Sequence, residues 1–116
     1  VNLSLSVAEV ELVADELDPD SVISGDPHVS SLELWASEDG TQSRGIWQIT
    51  PGTVTDVELQ EMFVVVSGRA TIAIEDGPTL EVGPGDVGFL AAGARTTWTV
   101  HETLRKVYHV SHSVAP

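Results

Sequence analysis

No cysteine stands anywhere in the chain, which excludes disulfides, thiolate metal sites and thiol nucleophiles. Basic residues are scarce as well: five Lys and Arg stand against eighteen Asp and Glu, a formal net charge of −13 at pH 7. That balance repels phosphate backbones and anionic lipid surfaces, so neither nucleic acid nor a membrane is an expected partner. Long apolar runs are missing. The opening "VNLSLSVAEVELVADELDPD" has no basic n-region, no long apolar stretch and no small-residue cleavage pattern, and nothing elsewhere approaches a membrane span. The expected setting is the cytoplasm. A Gly-x-Ser-x-Gly elbow, a phosphate loop, a dinucleotide fingerprint and zinc-ligand spacing are all absent.

What the chain does have is 116 residues with 41% hydrophobic content, enough for one domain around one modest core. Residues 1–30 read as an N-terminal arm and connecting loop. Leu3, Leu5 and Val7 alternate as a strand would, Val7, Val10, Val13 and Leu17 recur at helical spacing, and Pro19, Gly25 and Pro27 then interrupt regular structure. Residues 31–116 read as a procession of short strands. "SLELW" and "RGIWQI" flank a hairpin turn at Asp39-Gly40, and "EMFVVV" and "ATIAIE" are separated by Ser67-Gly68-Arg69. Asp76-Gly77 turns the chain onto "TLEV", and "DVGFL", "TTWTV" and "RKVYHV" follow. The unbroken apolar run Phe63 to Val66 predicts a strand buried on both faces. Short strands, frequent Gly and Asp turns and hardly any helix argue for an all-β sandwich or barrel.

Two stretches carry a family resemblance. "EMFVVVSG" resembles the end of the first cupin motif, with Glu61 and Gly68 separated by six residues. "GPGDVGFLAAGARTTW" resembles the second, with Gly85 and Gly93 in place, Ala91 where the motif has proline and Thr96 where it has histidine. "TTWTVHETLRKVY", with Trp98, Glu102, Arg105, Lys106 and Tyr108, is similar to single-domain cupins grouped with ureidoglycine aminohydrolase and the ethanolamine-utilisation cupin, a DUF861-type group. The resemblance implies an RmlC-like jelly-roll barrel, a double-stranded β-helix. It also implies a homodimer, since cupins commonly pair through outer strands and a sheet edge is best covered.

The resemblance further implies where a metal would sit, and there the chain departs from the pattern. A cupin metal is held by two histidines spaced by one residue, a glutamate, and a histidine of the second motif, a set suited to transition metals. The two histidine positions fall on Thr55 and Val57, or with one extra residue on Val54 and Asp56, and the fourth falls on Thr96. Glu61 is the one ligand position retained, so no cofactor is expected. A divalent metal held instead by oxygens of Asp56, Glu58 and Glu61 is the departure from that expectation.

The barrel mouth is the natural pocket, and Glu61, Thr96, Trp47, Trp98, Tyr108 and His109 are its candidate ligand-binding residues. Tryptophans stack on planar ligands or fill a core, and His109 is a ligand or a proton carrier if it points inward. Arg105, Val107 and His109 share one face of their strand, and Lys106, Tyr108 and Val110 share the other. Alternation does not say which face is interior. The expected function is binding of a small polar metabolite, carboxylate- or ureide-like. The alternatives are a metal-dependent enzyme resembling ureidoglycine aminohydrolase and a structural or regulatory subunit with a plugged barrel.

Overall fold

A computed structural model describes residues 2–112. The strands, in chain order, are β1 (Val13–Asp15), β2 (Val22–Gly25), β3 (Val29–Ala36), β4 (Gln42–Ile49), β5 (Gly52–Val57), β6 (Gln60–Ile74), β7 (Thr79–Val82), β8 (Val87–Leu90) and β9 (Arg95–Ser111). A short 3-10 helix, Pro19–Ser21, joins β1 to β2, capped by the Asp18 side chain accepting from the Asp20 N–H. All pairings are antiparallel. The fold is an all-β jelly roll.

Two long strands organise it. The segments Glu61 to Val66 and Ala70 to Glu75, read from sequence as separate strands, are one strand, β6, and the segments Thr96 to Val100 and Arg105 to Val110 are likewise one strand, β9. β6 and β9 pair along nearly their whole length, with register shifts between Val65 and Ala70. The extra residues there flip the phase of alternation. Glu61, Phe63 and Val65 face inward before the bend, and Ala70 and Ile72 face inward after it. Gly68 makes the bend possible, with a φ of +85°. A Cβ at that position would press into the Thr103 carbonyl and stand 2.6 Å from the Leu104 Cα.

Each bent strand thus serves two sheets. The first half of β6 and the last half of β9 join β1, β3, β4 and β8, while the remaining halves join β2, β5 and β7. Residues 1–30, expected as arm and connecting loop, therefore give an edge strand to each sheet, β1 beside β3 and β2 beside β5. The earlier arm lies where the Arg105 guanidinium donates to the carbonyls of Val7 and Val10, at 2.8 and 3.0 Å. Residues 113–116 of the expected 31–116 barrel lie outside the described residues.

The core between the sheets includes Ile49, Phe63, Val65, Ile72, Leu90, Trp98 and Leu104. The run Phe63 to Val66 is not buried on both faces as expected. Phe63 and Val65 are inside, but Val64 is 36% exposed and its neighbour Met62 is 44% exposed. A run of apolar residues cannot by itself distinguish a doubly covered strand from one whose outer face is bare. Asp86 holds the turn before β8 by accepting from the Gly83 N–H at 2.8 Å, beside Gly85 at a φ of +88°.

Candidate functional site

The bends in β6 and β9 close one end of the barrel, so the four strand ends converge at the other. There the inward residues turn polar, around an open cavity of about 1220 Å³. Its mouth also takes Asp15, Leu17, Asp18 and Asp20 from the N-terminal segment.

At the floor, Lys106 donates to Glu61 Oε2 over 2.7 Å, with both side chains almost fully buried. The Lys106 Nζ also stands 4.5 Å from the ring centre of Trp47 and 4.7 Å from those of Phe63 and Trp98. Alternation and register produce this meeting. Trp47 is directly opposite Lys106 on β4, and Trp98, eight residues earlier on β9, returns to the same space because the strand bends. Trp47 and Trp98 meet edge to face with centroids 5.8 Å apart, an arrangement aromatic quadrupoles favour.

Beside this lies a second polar group. Glu58 is 7% exposed, and its Oε2 accepts from Thr96 Oγ1 at 2.6 Å and from Trp98 Nε1 at 3.1 Å. The chain places Glu58 by a two-way clasp, its N–H donating to the Ala94 carbonyl and its own carbonyl accepting from Gly93. Asp56, opposite Thr96 across β5 and β9, is a further carboxylate lining the cavity. Burial, followed by the charge of Glu58, pushes the Asp56 carboxyl above its ordinary 3.8. Burial also pushes Glu61 above 4.5, against the pull of Lys106. Tyr108 is raised above 10.0 by burial and then by Glu33 and Glu61.

Of the candidates named from sequence, Glu61, Thr96, Trp47, Trp98 and Tyr108 line this cavity. His109 does not. It faces outward on β9, where its Nδ1 accepts from Arg44 Nε at 2.9 Å, and Arg44 in turn lies over the Trp35 ring at 4.5 Å. The interior face of this strand is that of Lys106, Tyr108 and Val110. Arg105, on the outer face, donates to Gln48 and to the N-terminal arm, while Glu102 pairs with Arg69 at 3.4 Å. Sequence reasoning had Glu58 only as an oxygen ligand for a cation. Its role as the partner of Thr96 and Trp98 spans 38 and 40 residues and has no local signature.

The geometry also decides between the two alignments of the cupin histidine positions. Val54 and Asp56 stand in register with the buried Trp98 and Thr96, whereas Val57 on the alternate face is exposed. The residues present do not fit a transition metal. A valine, a carboxylate, a hydroxyl already bonded to Glu58 and a glutamate already bonded to an ammonium stand at the four positions, with no imidazole among them. Among the described residues no three His, Asp or Glu side chains are grouped to hold an ion.

The family model for EutQ-like cupin domains matches residues 36–108, and the chain belongs to that family. A Pseudomonas syringae pv. tomato protein of unknown function in the DUF861 family is 30% identical to it, with a TM-score of 0.81 over 92% of this chain and 46% of the other. This chain therefore spans about half the length of that relative. The Clostridium difficile EutQ protein is 18% identical, with a TM-score of 0.69 over 93% of this chain and 85% of its own. A DUF861 family protein from Thermotoga maritima is 26% identical, with a TM-score of 0.53 over 56% and 75% of the two chains. No match was found among curated proteins.

Proposed function

We propose that this EutQ-like cupin domain binds a small, neutral, N–H-rich metabolite of the ureide class in its barrel mouth, without a transition metal. The observation that carries the reading is the charge of the cavity wall. Arg95 and Lys106 are the basic residues lining it, and they face a larger number of acidic ones, among them Asp56, Glu58 and Glu61. Carboxylates accept hydrogen bonds, so they complement a ligand that donates several. A ligand carboxylate would be repelled, and the ammonium that could receive it is already bonded to Glu61. Trp47, half-buried at the cavity wall, supplies a flat apolar surface for a planar group. The open cavity also supports a binding role over that of a subunit with a plugged barrel.

Titration of the protein with ureides, simple amides and plain carboxylates, followed by tryptophan fluorescence, tests the proposal. Ureides are expected to change the emission saturably, and Trp47→Ala to abolish the response. A response to plain carboxylates alone would overturn it.

The outer face of β6 and β8 supports pairing with a second copy. Met62 lies directly opposite Phe89, and Val64 opposite Val87, and all four are exposed, Phe89 at 68%. Adjacent exposed apolar side chains on one face mark an interaction surface.

A further inference from the structure

We propose that the centre of this barrel is an ammonium-binding site whose occupant is the chain's own Lys106, in place of a metal ion. The proposal holds whether or not the mouth above it takes a ureide.

The box around the lysine has four walls. Glu61 accepts one N–H at 2.7 Å, and the faces of Trp47, Phe63 and Trp98 stand 4.5 to 4.7 Å from the nitrogen. A lysine ammonium has three donors and no acceptor. One is met by the carboxylate, and the electron-rich ring faces attract the remaining positive charge. Aromatic faces with one carboxylate are the recognition chemistry of organic ammonium ions. Divalent ions instead take a full shell of oxygen or imidazole donors, which rings cannot provide. Burial makes the arrangement costly to leave incomplete, because Lys106 is 5% exposed and Glu61 8%, and a buried charge without its partner is strongly destabilising. The box is therefore built around its cation, and the cation is delivered on a tether from β9.

The tether can be cut chemically. Lys106→Ala removes three methylenes and the ammonium, which together are the atoms of n-propylammonium. The thermal midpoint of Lys106→Ala is expected to fall by more than about 10 °C. Millimolar n-propylammonium chloride is expected to restore at least about 5 °C of it in a saturable manner. 1-Propanol, of the same shape without the charge, should restore none, and the wild-type protein should not respond. Restoration by Mn, Ni or Zn ions instead of the alkylammonium would overturn the proposal, as would equal restoration by propanol or no restoration at all.

If Lys106→Ala does not fold, Lys106→Met keeps an apolar stem of nearly the same length and removes the ammonium. Its midpoint is expected well below wild type and is expected to recover when Glu61→Leu is added. A Lys106→Met protein as stable as wild type would equally overturn the proposal. Ureide titration of wild type is a separate readout, so the failure of one proposal leaves the other standing.

Discussion

Near the bends of β6 and β9 the inward side chains are Val65, Ala70, Val100 and Leu104, none more than 4% exposed. At the far ends the same two strands present Glu61, Thr96, Lys106 and Tyr108 to the cavity. The first region is held by burial of apolar surface, which is non-directional and tolerates a neighbour's loss in proportion to the volume removed. The second is held by pairs that satisfy each other's charge or hydrogen bonds, so the loss of one member strands the next. The contrast separates an apolar end held by packing from a polar end held by specific pairs, where the proposed ligand would bind.

Substitutions at each end, together with a pH series, test that contrast. The largest effect is expected for Phe63→Ala, which empties a fully buried ring site and removes one wall of the lysine box. It should cost about 3–5 kcal/mol in urea unfolding. Glu61→Gln is expected to cost about 3 kcal/mol, since it leaves the Lys106 charge buried with a neutral partner. A double-mutant cycle with Lys106→Met should show strong coupling, whereas Leu104→Ala with Lys106→Met should be close to additive if the two ends are independent.

The pH dependence has a definite sign. Asp56 has a folded-state value raised above 3.8, so the folded protein binds this proton more tightly than the unfolded chain. Its contribution to stability is therefore lost as pH rises from the ordinary carboxylate range through the raised value. Urea midpoints should decline for wild type as pH rises through that range. The decline should flatten in an Asp56→Asn protein, and an unchanged slope there would assign the dependence elsewhere. The smallest effect on stability is expected for Phe89→Glu, within about 0.5 kcal/mol because the ring is exposed. The same change should shift the protein toward monomer in light scattering, because it places a charge in the apolar surface proposed to pair.

The strand set was legible because period-2 alternation and Gly or Asp turns are local properties. Strands β3, β4, β7 and β8 lie close to where the sequence places them. Continuity through Gly68 was not legible, since a Ser-Gly-Arg turn and a bulge in one long strand share the same residues. Strand β5 shows a different limit: Gly52–Val57 marked only a motif spacing, and the extra residue in that spacing is settled by pairing with β9.

Composition, alternation and motif spacing establish an acidic, cysteine-free, all-β chain with the two cupin motifs and with a threonine at the position of a histidine ligand. They also establish that Lys106 and His109 lie on opposite faces of one strand, because side chains alternate along it. Long-range strand pairing, not local pattern, turns Lys106 inward and brings Glu58 to Thr96 and Trp98. It likewise brings together three aromatic rings from β4, β6 and β9 around one ammonium. Alternation fixes two faces but not which one is covered. That choice depends on how strands far apart in the chain pair and bend, and on the burial that results.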